Sequence, residues 1–470
     1  MISPWIAFLA WIPITLYFFR AYPVRVAILV NFVAGWALLP SARYVPTSAR
    51  FPYWILGTCL PSSHIFTKAT VVAMTGLLGI VLFDRGIFTH LKLSFWDLPI
   101  LAWCFVPLLS AIANLRGFVA ACQMESYQIL AWGVPYLIGR LYFSDTESLR
   151  LAVKALVVAG LAYVPVCLTE LFTGPQIYAH LYGYQPYRWV GADRYLGFRP
   201  VGLLEDGNQL AIWMATSTLL AIWLWRRRLL DRILGIPIAW VSAVLLVVTL
   251  LCQSAESILV LLCLLPFVFV RKSSLPRAVV AIFLLGALGY MSLRLANVIS
   301  LRTLVKQNAV AHSAEDFLRS IKRQSFGWRL SEDEKHVGVA LEKPLLGYGE
   351  WNWWRNGLLR PWGLWLLAFG MYGIVGLLSL ECLQLLPAAR VLWFSAPRTD
   401  MAACELRSAI AAVVLMSAID NLLNGSMNLP LCLLIGGLSA PNGVVSAVRQ
   451  GFQSRATIVG SPAAQVNVSG

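Results

Sequence analysis

The chain has 470 residues, of which 59% are hydrophobic and only 13% are charged, and its mean hydropathy is +0.71. A soluble domain carries roughly 25% charged residues, so this composition excludes a soluble globular protein with a polar shell. The net charge of +15 is compatible with the basic loops of a membrane protein and with an anionic substrate.

Apolar stretches of about 17–25 residues recur along the chain, and this is the length that a helix needs to cross a bilayer. We therefore predict an all-α fold, a polytopic transmembrane helical bundle of about 12–14 spans. The predicted spans are 3–19, 24–40, 68–83, 95–114, 126–143, 149–172, 204–225, 234–252, 255–270, 277–293, 362–386, 407–426 and 428–447. Residues 1–19 lack a basic leader and a clear cleavage site, which favours a retained first span. We interpret 1–449 as a single membrane domain and predict that the tail 450–470 is disordered.

Lys and Arg in the short loops indicate the orientation of the spans. The densest clusters, Arg226–Arg232 and Arg271–Arg277, fall on the same side as the other short basic loops, and we assign that side to the cytoplasm. The opposite side receives three longer external loops, at about 41–67, 173–203 and 294–361.

The third external loop contains Ser313-Ala-Glu-Asp316, which has the pattern of a capping box. Apolar residues follow at helical spacing, namely Phe317, Leu318, Ile321 and Trp328. The pattern predicts an amphipathic helix that lies along the outer membrane surface.

The external loops are rich in arginine and in aromatic residues. The arginines that we consider for binding are Arg188, Arg194, Arg199, Arg329, Arg355 and Arg360. Long loops escape the charge bias of short ones, so one interpretation is a solvated surface or contact with lipid headgroups. The other is an external site where guanidinium groups bind phosphate oxygens and where Tyr and Trp stack on sugars. This second interpretation predicts a lipid-linked phosphorylated glycan as the ligand.

Other chemical signatures are sparse. The chain has no P-loop, no H-E-x-x-H motif and no Cys/His cluster, so no metal, cofactor or nucleic-acid partner is predicted. Glu256 and Asp420 are the candidate charges within spans, where ionisable groups are functional candidates. Both lie near the outer ends of their spans, and at Glu256 the alternative is a solvated turn.

Two stretches on the predicted outer side combine arginines with glycines. The first runs from Gly197-Phe-Arg199 to Asn208-Gln-Leu-Ala211, and the second from Trp328-Arg329 to Gly347-Tyr348-Gly349. With Gly373-Ile-Val-Gly376 in the following span, they resemble the bacterial O-antigen ligase and O-antigen polymerase family. The resemblance implies a multi-pass enzyme of the bacterial inner membrane that transfers a glycan from a polyprenyl-pyrophosphate donor on the periplasmic side. The acceptor would be a glycan, lipid A–core or a protein, and membrane lipids would surround the enzyme.

The resemblance also implies roles for particular residues. Arg199 and Arg329 would stabilise the charge that develops on the pyrophosphate. The substrate-binding set would comprise Arg188, Arg194, Arg355, Arg360, Gly347, Tyr348, Gly349 and Trp351. Alternatively, the glycines serve helix packing and the arginines reach lipid headgroups.

One departure from the family concerns the general base. The ligases of the family have a histidine about eleven residues before the glycine that aligns with Gly373, whereas Trp362-Gly363 stands here. We therefore consider Glu350 or His336 as the base, with Glu205 and Asp206 as further candidates, and the missing histidine favours a polymerase over a ligase. A flippase or exporter of lipid-linked glycans is the main alternative, and a structural subunit of an envelope complex is another.

Overall fold

The computed structural model describes residues 1–41, 66–183, 192–269, 274–296, 307–308, 312–313, 316, 325–354, 361–393, 401–425 and 428–440. Helices dominate this part of the chain, and its only paired strands are two short antiparallel hairpins. They consist of β1 (Asp193–Arg194) with β2 (Gly197–Phe198) and β3 (Arg232–Ile233) with β4 (Ile236–Pro237). The predicted all-α fold class is confirmed for the described residues. The predicted tail lies outside them.

The helices follow one another with short connections. In chain order they are α1 (Pro4–Ala21), α2 (Val24–Leu38), α3 (Lys68–Phe83), α4 (Phe95–Ala113), α5 (Phe118–Gln128, continued by a π-helical turn at Ile129–Gly133 and by Val134–Tyr142), α6 (Thr146–Thr173), α7 (Ile177–Tyr182), α8 (Gly207–Arg226), α9 (Ile238–Leu251), α10 (Ala255–Phe269), α11 (Ser274–Leu295), α12 (Ser325–Leu341), α13 (Leu364–Trp393), α14 (Met401–Asp420) and α15 (Leu429–Ser439). Each predicted span overlaps one of these helices.

Within the described residues, five helices are long and apolar enough to cross a membrane, namely α1, α4, α6, α13 and α14. Shorter apolar helices include α2, α3, α9, α10 and α15. The protein is therefore a helical protein with several membrane-spanning candidates, while the number of spans and the identity of the membrane stay predictions.

Helix α8 forms the centre of the bundle. Every residue from Gly207 to Leu224 is buried. The helix packs against α6, α9, α10 and α14, so no face of this stretch is exposed. A helix buried on all sides belongs in a protein core. Its 20 residues give a length of about 30 Å, which separates two ends of the bundle. We call them the Arg199 end and the Arg140 end.

Polar contacts join different loops at each end. At the Arg199 end the Tyr178 hydroxyl accepts a hydrogen bond from the Ser41 amide at 3.0 Å. At the Arg140 end Arg25 pairs with Asp145 at 2.6 Å. In each contact, the Lys and Arg distribution assigns the two joined segments to the same side of the membrane. That side is the outer one for Ser41 and Tyr178 and the cytoplasmic one for Arg25 and Asp145. Which end faces the cytoplasm stays a prediction.

Helix α13 contains a break that the sequence analysis did not predict. Gly373 has φ 65° and ψ −162°, a backbone conformation that only glycine adopts readily. The amide of Ile374 donates to the carbonyl of Pro344 at 2.8 Å, and the amide of Gly349 donates to the carbonyl of Met371 at 2.9 Å. The segment before α13 therefore pairs with the backbone groups that the break leaves without helical partners.

Helix α12 occupies part of the predicted amphipathic region, although the first half of that prediction, including 317–324, lies outside the described residues. The buried face of α12 packs against α13. Among the side chains of α12 that the structure describes, this face contains Arg329, Asp333, His336, Val337 and Ala340, which recur at helical spacing. The face that meets the protein is thus largely polar, and it directs one of the predicted arginines into the molecule.

Candidate functional site

A short hairpin positions Arg199. Strand β1 pairs with β2, and the Arg199 amide donates to the Ala192 carbonyl at 2.7 Å. Gly197, in β2, has φ 99°, and a Cβ there would lie 2.3 Å from the carbonyl oxygen of Leu171. Only glycine allows the hairpin to approach the end of α6 this closely. The hairpin therefore places Arg199 beside the first turn of the central helix.

A buried carboxylate fixes the chain that follows Arg199. Glu170 of α6 is fully buried, and its Oε2 accepts hydrogen bonds from the amides of Val201 at 2.7 Å and Gly202 at 2.6 Å. Its Oε1 accepts from the amide of Ile177 at 3.1 Å. Through these three backbone hydrogen bonds, Glu170 anchors both loops to α6. The sequence analysis did not identify this residue.

Arg199 lies across the N-terminus of α8. Its side chain is 5% exposed, and its Nη2 donates a hydrogen bond to Oδ1 of Asn208. A Cβ at Gly207 would lie 2.7 Å from the Arg199 Nε, so the missing side chain makes room for the guanidinium group. Asp206 caps the helix by accepting from the amides of Asn208 at 2.6 Å and Gln209 at 2.8 Å. This cap explains why α8 begins at Gly207 rather than at the predicted residue 204.

Arg329 is the second predicted arginine, and it enters the same region from α12. It is 8% exposed, and its Nη1 donates to Oδ1 of Asn424 at 2.6 Å, with Oε2 of Glu256 at 3.5 Å. Its Cζ lies 5.5 Å from the centre of the Trp362 ring, within range of a cation–π contact. Arg329 is therefore held by a neutral amide and an aromatic ring, with a carboxylate at a longer distance.

Asn424 and Glu256 connect Arg329 to the rest of the cluster. The Asn424 Nδ2 donates to Oε2 of Glu256 at 2.9 Å and to Oδ1 of Asp420 at 2.7 Å. Asp420 ends α14, and Glu256 lies in the first turn of α10. Because one amide bridges both acids and also accepts from Arg329, the ends of three helices are joined in one hydrogen-bond network.

Glu256 brings the two arginines together. It interacts electrostatically with Arg329, with Arg199 and with Asp206. The structure thus places Arg199 and Arg329, chosen from distant stretches of the sequence, around a single carboxylate. We call this group the arginine cluster and define it as Arg199, Asn208, Glu256, Arg329, Asp420 and Asn424.

The predicted glycine turn lies elsewhere at the Arg199 end. A Cβ at Gly347, which has φ 65°, would lie 2.4 Å from the backbone of Met371. The Gly347 carbonyl accepts from Asn114 at 2.9 Å, and the Leu346 carbonyl accepts from the Ser110 hydroxyl at 2.5 Å. The close approach that these glycines permit is to the backbone at the α13 break.

Glu350 and Tyr348 belong to that turn. Glu350 pairs with Arg116 at 2.9 Å. The Tyr348 hydroxyl donates to Oε2 of Glu342 at 2.6 Å. Burial, and after it this hydrogen bond, raises the pKa of Tyr348 to about 12. Tyr348 therefore stays protonated at neutral pH and can donate a hydrogen bond but cannot act as a base.

An aromatic cluster connects the turn to α12. The Tyr348 ring stacks on Trp353 with centroids 6.2 Å apart, and His336 meets the same Trp353 edge to face at 6.2 Å. Trp351 is buried and contacts Trp354 at 5.2 Å. His336 is fully buried. The α12 residues Arg329 and His336 lie two turns apart on one face, so the aromatic cluster continues from the arginine cluster along α12.

The remaining candidates have separate positions. Glu205 forms an ion pair with Lys68 at 3.0 Å, and both side chains are fully buried. Gln209 donates to the same carboxylate at 2.7 Å, so Glu205 joins α3 to the start of α8. Arg194 lies in β1. Arg188, Arg355 and Arg360 lie outside the described residues.

Sequence reasoning underestimated the acids of the arginine cluster. Glu256 looked like a residue of a solvated turn because the spans on either side of it are separated by only a few residues. A signal was present, however, since Glu256 and Asp420 are acids near the ends of apolar segments. Asn424 follows the end of α14 by four residues, and its backbone amide donates to the carbonyl of Asp420 at 2.8 Å, which keeps its side chain beside that acid.

Comparison with known proteins adds no identification to this geometry. No protein-family model matches the chain, and no curated protein matches it closely enough to indicate a relationship.

Proposed function

We propose that the protein is a membrane glycan transferase that uses a polyprenyl-pyrophosphate donor, acting as a polymerase or a ligase in the assembly of a bacterial surface polysaccharide. One observation carries the proposal: two buried arginines from distant parts of the sequence, Arg199 and Arg329, converge at one end of the bundle, and each is hydrogen-bonded to an asparagine. An amide oxygen satisfies a guanidinium N–H without cancelling its charge, and the carboxylate of Glu256 is 3.5 Å from Arg329, a distance at which the contact is weak, so both arginines could bind an anion.

The chemistry follows from the leaving group. When the bond between the sugar and the pyrophosphate breaks, negative charge develops on the phosphate oxygens. Two preorganised guanidinium groups in a buried site stabilise that charge strongly, because the dielectric constant is low and little reorganisation is needed. Removal of one such group typically costs about 10²–10³ in rate. No cofactor is required for this transfer.

The surroundings suit an amphiphilic substrate. The apolar helices of the bundle would hold the polyprenyl chain among the membrane lipids, and the arginine cluster would lie at the end of the bundle near the pyrophosphate. Tyr348, Trp351 and Trp362 would line the side where sugars of the donor or acceptor stack. In this proposal the cluster faces the periplasm of a bacterial inner membrane, and the acceptor is a glycan, lipid A–core or a protein.

A flippase or exporter is the second candidate, and the break in α13 favours it, since interrupted helices commonly form transporter sites. At this break, however, the segment from Pro344 to Gly349 forms hydrogen bonds with the Met371 carbonyl and the Ile374 amide. These backbone groups are therefore not free to bind a transported ligand. The carboxylates beside the arginines also suit acid–base chemistry better than passage of an anion. Both features support the enzyme over the transporter.

The test compares Arg199→Ala and Arg329→Ala with Arg227→Ala, which removes an arginine at the Arg140 end that pairs with Glu405. Glycan chain length and lipid-linked repeat units are measured in cells with equal amounts of each protein. We expect the first two variants to accumulate lipid-linked units in the periplasmic leaflet and Arg227→Ala to resemble the wild type. Short chains would indicate a polymerase, and unglycosylated acceptor would indicate a ligase. Unchanged glycan in both cluster variants would contradict the proposal, and units trapped in the cytoplasmic leaflet would favour the flippase.

A further inference from the structure

The acids near the two arginines differ in how fully their oxygens are occupied. Glu350 is paired with Arg116 and Glu205 with Lys68, while Asp206 caps α8 with two amide contacts. Asp420 is almost completely buried and accepts from Asn424. Glu350 and Glu205 are thus held by ion pairs, and one oxygen each of Asp206 and Asp420 is held by amide groups.

Glu256 is different because one of its two oxygens is buried and has neither a hydrogen bond nor an ion pair within the described residues. Its Oε2 accepts from Asn424 at 2.9 Å and lies 3.5 Å from Arg329, a distance at which a hydrogen bond is weak. Its Oε1 is shielded from solvent and has no hydrogen-bond donor in the described part of the chain. A buried carboxylate oxygen without a donor is unfavourable, and a ligand hydroxyl would satisfy it.

The position of Glu256 also fits the donor. It lies 3.5 Å from Arg329 and interacts electrostatically with both Arg329 and Arg199, so an anion bound to the two guanidinium groups would be close to the carboxylate. The side chain is 16% exposed, which leaves it partly open at the end of the bundle. Because Oε1 itself is shielded from solvent, binding of the acceptor would have to open a path to this oxygen from the exposed edge of the side chain.

We propose that Glu256 is the general base that accepts the proton of the acceptor hydroxyl, and this inference rests on the proposed transferase function. In the step, the acceptor oxygen forms a bond to the anomeric carbon, and the bond from that carbon to the phosphate oxygen breaks. The electron pair of the broken bond leaves with the polyprenyl pyrophosphate, and the hydroxyl proton moves to Oε1 of Glu256. Charge and atoms balance without any further reactant.

The arginines would also control when the base is available. Without a donor, Arg329 and Arg199 attract the Glu256 carboxylate, while Asp206 and Asp420 repel it. A bound pyrophosphate would engage the arginines itself and would weaken their hold on Glu256. Proton acceptance would therefore be coupled to occupation of the donor site.

The experiment uses Glu256→Gln, which keeps the size of the side chain but cannot accept the proton. Glu256→Asp restores a carboxylate at a shorter reach. Glu405→Gln is the matched control, because Glu405 also contacts an arginine, at 3.2 Å, and a second donor, Trp223, at 3.1 Å, but lies at the Arg140 end. The full-length variants are assayed for glycan formation in cells, and the purified proteins for binding of undecaprenyl pyrophosphate.

We expect Glu256→Gln to reduce glycan formation by about 10²–10⁴-fold while its dissociation constant for undecaprenyl pyrophosphate stays within about threefold of the wild type. Glu256→Asp should recover part of the activity, and Glu405→Gln should leave both readouts unchanged.

Two results would overturn the assignment. Glycan formation by Glu256→Gln at a rate close to the wild type would exclude Glu256 as the base. Joint loss of binding and activity in both Glu256 variants would show that the residue only maintains the site. Arg199→Ala and Arg329→Ala separate this failure from failure of the proposed function. If those two variants still bind undecaprenyl pyrophosphate normally, the donor site itself is wrong, whatever Glu256 does.

Discussion

The two ends of the helical bundle hold their arginines in different ways. At the Arg140 end, Arg140 contacts Asp97 at 3.0 Å, Arg227 contacts Glu405 at 3.2 Å and Arg25 contacts Asp145 at 2.6 Å. At the Arg199 end, the two arginines of the arginine cluster donate to asparagine side chains. The short contacts are thus to carboxylates at one end and to amides within the cluster at the other, where the ion pair of Arg329 with Glu256 is longer, at 3.5 Å.

The partner of an arginine determines how much of its charge is available to a ligand. A guanidinium group paired with a carboxylate is neutralised, and a buried pair of this kind serves mainly to hold elements in place. A buried guanidinium held by an amide keeps its charge, which costs desolvation energy. In the proposed function, a bound anion would offset this cost. Ion pairs also occur at the Arg199 end, namely Lys68–Glu205 and Arg116–Glu350. The arginine cluster is therefore distinguished by the amide partners of its arginines and not by its location alone.

The largest expected effect is on stability at the Arg140 end. Arg140 and Asp97 are 5% and 2% exposed, and Asp97→Asn would leave a buried guanidinium without its counter-charge. Breaking a buried pair in this way typically costs about 3–5 kcal/mol. We expect the midpoint of unfolding of the purified protein in detergent to fall accordingly, while the folded fraction binds undecaprenyl pyrophosphate normally. Normal stability combined with loss of binding would break the comparison between the ends.

A smaller effect is expected when the amide partner of Arg199 is replaced by a carboxylate, which would form an ion pair with it. Asn208→Asp would place a carboxylate against Arg199 and neutralise it. Each 1.4 kcal/mol of lost attraction lowers affinity about tenfold, and we expect a decrease of about 10–100-fold in affinity for undecaprenyl pyrophosphate.

The control for this prediction is Asn114→Asp. It makes the same change at the same end of the bundle, 2.5 Å from Lys343 and outside the arginine cluster. Binding that is unchanged in Asn208→Asp, or equally weakened in Asn114→Asp, would argue against a specific anion site at Arg199.

Much of the helical fold could be predicted because apolar length is a local property of the sequence. Each predicted span overlaps a helix. Ends were less predictable, since α5 begins at Phe118 after Gly117 rather than at 126. The break at Gly373 could not be predicted, because it depends on the segment around Pro344 that pairs with it across the fold.

The site was predictable only in part. Arg199 and Arg329 were identified among the arginines of the external loops because each lies in one of the two stretches that resemble a known enzyme family. Their partners Glu256 and Asn424 come from other helices, and nothing local links them to the arginines. The same is true of Glu170, whose bonds to Val201 and Gly202 cross from α6 to the Arg199 loop. Gly347 was expected to approach a ligand, whereas it approaches the backbone of α13.

The smallest expected effect separates burial from position at the Arg140 end. Arg25 and Asp145 are 27% and 24% exposed, so solvent screens their attraction. Water can also hydrate either charge when its partner is removed. Exposed pairs are typically worth about 0–1 kcal/mol, and we expect Arg25→Gln to shift the unfolding midpoint only slightly. The comparison depends on this contrast with Asp97→Asn. If Arg25→Gln destabilised the protein as much as Asp97→Asn, burial would not explain the effect of these ion pairs. Their position in the bundle would then determine how much they stabilise the fold.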